Sequence, residues 1–293
     1  MLTVVLQQGI NGIVVGSLYV LVALGLTLIY GVLVQINFAH ADIVTLGAFS
    51  AYFVTSLLSG NYLAGIGAAL IVGAVLGWLI NAAIFAPLRP RRSELLPLIA
   101  TIGFSIMLQN AMLLLFGPIP YAFNTPYSNT VIRLGSVFFT LQNLVIILVS
   151  ALTIALLYAF MKCTFLGKAL RAVSQDYETA ALVGINPNFL IMLTFIIASA
   201  LAGMSGALLG PVLVLTPFAG TSVIVKAFAI VIIGGFGNVE GTIIAGLVVG
   251  LIESYTTQFL DPGLIDIVVF AVLLVMLAVR PTGLIAEKRA ENV

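Results

Sequence analysis

Apolar runs of about 18 residues or more recur from one end of this 293-residue chain to the other, and no other feature restricts its fold so sharply. Each run is long enough to cross a hydrocarbon core of about 30 Å as a helix. In lipid a spanning segment must satisfy its own backbone hydrogen bonds, which leaves helices and closed barrels, and the alternating strands of a barrel are missing. With 62% hydrophobic and 7% charged residues, the composition agrees. The expectation is an all-α polytopic membrane protein, one transmembrane domain over residues 1–293. About nine transmembrane helices are expected, with eight or ten as alternatives, some of them interrupted. Polar intervals of no more than about 30 residues leave no room for a soluble domain. The net charge of +1 gives no sign of nucleic-acid binding. The start, MLTVVLQQGINGIVVG, lacks the Lys/Arg segment of a cleaved signal and reads as the first span. A single cysteine, Cys163, and a single histidine, His40, exclude an internal disulfide and a Cys- or His-based metal site. His40 reads as a buried, hydrogen-bonded side chain rather than a proton relay.

Charge placement orients the spans. Leu88 to Glu94, LRPRRSE, carries three arginines, and Lys162 to Pro187 carries Lys162, Lys168, Arg171, Asp176 and Glu178. By the positive-inside rule both loops face the cytoplasm, as does the tail with Arg280, Lys288 and Arg289. Pro87 is expected to close the helix of residues 62–86. The interval from Gly117 to Thr140, with Tyr121 and Tyr127, reads as an external loop. Residues 189–215 form a span, and parity splits residues 222–258 into two more. Gly12 and Gly16, Gly73 and Gly77, and Gly206 and Gly210 have the small-xxx-small spacing that lets helices approach closely.

Two places interrupt apolar segments. Residues 35–42 bring Asn37, His40 and Asp42 together, and residues 234–241 hold Gly234, Gly235, Gly237, Asn238 and Gly241. Paired interruptions in the two halves of a transporter point to a substrate path, whose free helix N-termini face an anionic group. The other reading makes Asn37 and Asp42 caps of a tight surface turn and the glycines a place for helices to cross. Glu253 lies near the headgroups or within lipid depth. Lys226 is expected to snorkel from the start of its helix.

The 162–187 interval has structure of its own. Leu166, Leu170, Val173 and Tyr177 follow helical spacing, with Lys168, Arg171, Gln175 and Glu178 on the other side. Asp176 is placed to cap a second short helix over residues 177–183, and Gly184 to end it in a left-handed conformation. Periodicity alone leaves open that both helices simply lie in the membrane interface.

Glu178-Thr-Ala180-Ala-Leu-Val-Gly184 resembles the E-A-A-x-x-x-G signature of permease subunits of bacterial ATP-binding-cassette importers, with Thr179 at a position where alanine is usual. The blocks GLTLIYGVLVQINFAHADIVTLGA, LPLIATIGFSIMLQN, GKALRAVSQDYETAALVGIN, AIVIIGGFGNVEGTIIAGLVVGLIES and VRPTGLI look like consecutive blocks of the branched-chain amino acid permeases, from about residue 9 to residue 284. The resemblance implies a multi-pass permease subunit of the bacterial inner (plasma) membrane. It implies a second homologous permease subunit, two ATP-binding-cassette ATPases and a periplasmic solute-binding protein as partners. It further implies that Leu166, Lys168, Arg171, Asp176, Glu178, Ala180 and Gly184 belong to the cytoplasmic coupling-helix loop that meets the ATPase. No G-x-x-x-x-G-K-[ST] occurs, and Gly167-Lys168-Ala169 lacks the glycine and hydroxyl of a phosphate loop, so hydrolysis is assigned to other polypeptides and no cofactor is expected. The reading from another class is a stand-alone secondary transporter, for which Asp42 and Glu253 are the available coupling carboxylates. A membrane enzyme finds no nucleophile, base and orienter in one place.

Overall fold

The structure is a computed structural model that describes residues 1–285 apart from Arg92, Glu94 and Ser136. Arg92, Lys288 and Arg289, counted above for sidedness, therefore lie outside the described residues. The first helix, α1 (Leu2–Leu33), is followed by an irregular stretch and α2 (His40–Leu57). After α3 (Tyr62–Ile80) a π turn (Asn81–Phe85) leads into α4 (Ala86–Leu88), and α5 covers Leu95–Phe116. A hairpin of β1 (Val131–Leu134) and β2 (Val137–Thr140) precedes α6 (Leu141–Cys163). The short α7 (Phe165–Gln175) and α8 (Tyr177–Leu182) come next. The chain closes with α9 (Pro187–Leu209), α10 (Ala219–Gly234), α11 (Val239–Phe259) and α12 (Ile265–Val279).

Among the described residues seven helices are long and apolar enough to cross a membrane: α1, the continuous Tyr62–Arg91, α5, α6, α9, α11 and Pro262–Val279. The expected nine is not reached. α2 is diluted by His40 and Asp42 in its first turn, and α10 has only 16 residues. Two boundaries also differ from expectation. Helical structure runs through Pro87 to Arg91, because the π turn shifts the hydrogen-bond register and leaves Pro87 at the start of a new turn, where no N–H is needed. The span expected over 189–215 ends at Leu209, two residues before Pro211. The hairpin was not foreseen. Its strands pair antiparallel, Val131 with Thr140 and Leu134 with Val137. It docks on α1, where Gln7 Nε2 donates to the Phe138 carbonyl at 2.7 Å and Phe138 N donates back to Gln7 Oε1 at 3.1 Å.

The core is built on α1 and α9, which are buried without interruption over residues 16–29 and 198–209, and glycines set the distances between helices. Gly12 and Gly16 of α1 lie against Leu251 and Leu247 of α11, and Gly73 and Gly77 of α3 against Ser199 and Phe195 of α9. Close backbone approach of this kind replaces the hydrophobic drive that lipid cannot supply. At Gly206 of α9 an added Cβ would run into the Val44 carbonyl of α2. Gly206→Ala is therefore expected to cost about 1–3 kcal/mol through overpacking. Thermal unfolding of the detergent-purified chain measures it, with Gly103→Ala, where a Cβ meets nothing within 4 Å, as the neutral control.

α1 runs antiparallel to α11: Tyr19 bonds Glu253, and Thr27 Oγ1 bonds Thr242 Oγ1 at 2.8 Å. The end of α1, the Gly235–Asn238 turn and the start of α11 therefore share one end of the bundle with α7 and α8. That end is the loop end of the bundle.

Candidate functional site

At the loop end, Thr164 caps α7, its side chain accepting from Gly167 N at 3.0 Å. The apolar face of α7 is buried: Ala169, Leu170 and Val173 pack with Ala180 of α8 and Leu190 of α9, with Val32 of α1 alongside. The chain then turns at Asp176, whose Oδ1 accepts from Glu178 N at 2.9 Å and Thr179 N at 3.0 Å. The other carboxylate oxygen accepts from the Thr179 hydroxyl. Thr179, which departs from the signature alanine, thus completes the cap.

α8 ends in a Schellman arrangement. Ile185 N donates to the Ala180 carbonyl and Gly184 N to the Ala181 carbonyl, both at 3.2 Å, with Gly184 at φ 85. Just ahead of Gly184, Leu182 is 87% and Val183 72% exposed, apolar side chains at the end of α8. Sequence reasoning missed them, since only the αL cap shows which side of α8 faces away from the bundle. Lys168, Arg171, Asp176 and Glu178 lie on exposed positions around the same pair of helices, while Ala180 is buried.

The Thr179 bonds hold the Asp176 carboxyl below its ordinary value. A carboxyl depressed by folding contributes stability above the unfolded carboxylate range near pH 4 and loses it as pH falls through its own lower value. The amides of Glu178 and Thr179 are accordingly expected to exchange hydrogen fastest, relative to intrinsic rates, on acidification below about pH 4. Asp176→Asn should flatten that dependence in a hydrogen-exchange measurement.

A second link reaches the loop from the glycine turn. Lys162 Nζ donates to Glu240 Oε1 at 2.7 Å, and the Tyr158 hydroxyl donates to the same oxygen at 3.0 Å. Asn238 caps α11 by accepting from Gly241 N at 2.8 Å, and Gly234 and Gly241 touch backbone to backbone. Gly235 and Gly237 have φ of 103 and 80. The chain beyond α12 closes over this turn: Leu284 N donates to the Ile233 carbonyl at 2.8 Å, and Gly283 lies against Gly235.

The first interruption is not a surface turn. Asn37, His40 and Asp42 are all buried. Asn37 Oδ1 accepts from Ala39 N at 3.2 Å just ahead of α2. Asp42 caps nothing; it sits inside the first turn of α2 and accepts from Gln109 Nε2 of α5 at 3.0 Å. His40 Nε2 lies 3.3 Å from the Val22 carbonyl, beside Gly25 and the Ala198 carbonyl at mid-height of α9. Asn37 Nδ2, His40 Nδ1 and Asp42 Oδ2 are buried without a hydrogen-bond partner. The two interruptions meet at one place, where Asn37 and Phe236 line a small cavity with Tyr30 and Phe228. His40 and Asp42 do not line it.

Lys226 does not snorkel. Its ammonium donates to Glu253 Oε1 at 2.8 Å and to the Tyr19 hydroxyl at 3.2 Å, and Tyr19 donates to the same carboxylate at 3.1 Å. The paired side chains are only 12% and 15% exposed. Among the described residues no group of three or more His, Cys, Asp or Glu is placed to hold a metal ion.

The arrangement is that of a helical bundle with a capped, two-helix loop at one end. Residues 9–277 match the family described as branched-chain amino acid transport system / permease component. The chain belongs to the branched-chain amino acid permease family. It is 34% identical to the high-affinity branched-chain amino acid transport system permease protein LivH of Escherichia coli K12, over 98% of this chain and 97% of that one. It is equally similar, at 34%, to BraD of Pseudomonas aeruginosa, over 98% of each. A probable LivH of Methanocaldococcus jannaschii is 27% identical over 85% of the chain. No solved structure matches it.

Proposed function

We propose that this chain is one half of the membrane pathway of an ATP-binding-cassette importer for branched-chain or related amino acids. It pairs with a second homologous permease subunit, two ATPases and a periplasmic binding protein. The observation that carries this is the α7–α8 loop: two capped helices packed against α1 and α9, ending in exposed Leu182 and Val183. An apolar tip on a charged, water-facing loop marks a protein contact. ATPase closure would move the loop as a unit and tilt α6 and α9, which flank it directly in the chain. The loop end then faces the cytoplasm, with the basic groups Arg89, Lys162, Lys168 and Arg171 beside it. Counting α2 and α10 with the seven longer helices gives nine crossings, which puts the C-terminus in the cytoplasm as well. Buried Asn37, His40 and Asp42 border the solute path, and Gly234, Gly235, Gly237 and Asn238 form the turn that lets α10 and α11 shift at its inner mouth.

Cys163, exposed at the junction of α6 and α7, is a built-in probe of this reading. A membrane-impermeant thiol reagent should label it in inside-out vesicles and not in right-side-out ones, and bound ATPase should slow the labelling. Labelling from outside, or at a rate indifferent to the ATPase, would contradict the assignment.

A further inference from the structure

Between α7 and the bundle lies a cavity of about 240 Å³, large enough for a free amino acid. Leu28 and Val32 of α1 and Ile197 of α9 give it aliphatic walls, while Lys162, Arg171 and Glu240 bring charges of both signs to it. Both bonds that Glu240 accepts, from Lys162 and from Tyr158, go to Oε1, which leaves Oε2 for another donor. The start of α11 also borders the cavity; Asn238 takes the Gly241 N–H, which leaves the first-turn N–H groups of Val239 and Glu240. Lys162 and Glu240 neutralise each other, yet the ammonium keeps further protons and Glu240 keeps Oε2, so donor and acceptor sites lie side by side above aliphatic walls and match a zwitterion with a hydrocarbon side chain.

We propose that this cavity binds a free aliphatic amino acid from the loop end of the bundle. Its carboxylate meets Lys162 and the N-terminus of α11, its ammonium group meets Glu240 Oε2, and its side chain packs on Leu28, Val32 and Ile197. The inference rests on the reading of the α7–α8 loop as the ATPase contact for its consequence. Because Leu170, Arg171 and Ser174 of α7 form one wall, an occupied cavity braces α7 against movement, so solute accumulated inside slows ATP hydrolysis.

The test uses the permease assembly in lipid nanodiscs without the binding protein, with and without ATPases. Radiolabelled leucine binding and ATPase rate are each referred to the same variant at zero leucine. Saturable leucine binding is expected, weakened about tenfold or more by Ile197→Trp, which fills the cavity, and by Glu240→Gln, whose exposed position protects folding. Each variant should also relieve the slowing of ATP hydrolysis by leucine. Absence of saturable binding, binding unchanged in both variants, or a phospholipid chain found in the cavity would overturn the inference. An assembly that hydrolyses ATP but binds no leucine overturns this site alone, whereas failure to assemble with ATPases strikes the importer reading itself.

Discussion

Lys226→Met is expected to destabilise the folded chain by about 3–5 kcal/mol, and Glu253→Met by a similar amount. Each single change leaves the other charge in a site 15% exposed or less, with only the Tyr19 hydroxyl for company. The double substitution removes both charges and should cost much less, since a buried pair replaced by apolar residues of similar volume is often nearly neutral. For a chain of this size a loss of that order lowers the melting temperature by on the order of 10 °C. The measurement is thermal unfolding of the three variants, followed by tryptophan fluorescence at Trp78 or by retention of a monodisperse peak. Singles no worse than the double would show that the pair is solvated, with no part in holding α10 to α11 and α1.

The second large effect falls on assembly and leaves stability alone. Leu182→Asp changes a side chain that is 87% exposed and touches little of its own chain, so the bundle should fold as before. A carboxylate placed at the centre of a desolvated contact should weaken ATPase binding about tenfold to a hundredfold, or about 1.4–2.7 kcal/mol. Gly184→Leu reaches the same end differently. Its Cβ meets nothing within 4 Å, but the left-handed backbone at φ 85 is unfavourable for leucine by about 1–2 kcal/mol, so the α8 cap loosens and its tip points elsewhere. Glu178→Arg reverses the charge in the first turn of α8, where the helix dipole favours an acid. Co-purification of ATPase with each variant, alongside amino-acid uptake, reads the outcome. Intact co-purification and uptake in all three would remove the loop from the coupling contact.

The most legible parts of this fold were those governed by local rules. The two-helix loop follows from the spacing of Leu166, Leu170 and Val173, from Asp176 as a cap and from Gly184 as a stop, all short-range features. The glycine pairs announced close helix contacts, but which helix meets which is a tertiary fact: Gly73 finding Ser199 and Gly206 finding Val44 have no sequence signal. The same limit hid the ion pairs of Lys226 and Lys162. Lys226 and Glu253 stand 27 positions apart and Lys162 and Glu240 stand 78 apart, so only the packed bundle reveals them as partners. Pro87 misled because a π turn ahead of it changes the register, and that turn leaves no trace in hydropathy. The polar cluster of Asn37, His40 and Asp42 was visible, while its burial at mid-height of α9, the reason it is no surface turn, required the fold.

On the proposed function, ATPases move this subunit through the α7–α8 loop, and it carries no solute without them. Proteoliposomes holding the permease pair, with loaded binding protein outside, test it most directly. Leucine should accumulate inside only when the ATPases and ATP are present, and without ATPases uptake should match protein-free vesicles. Solute flux through this chain with no ATPase in the membrane would contradict the account.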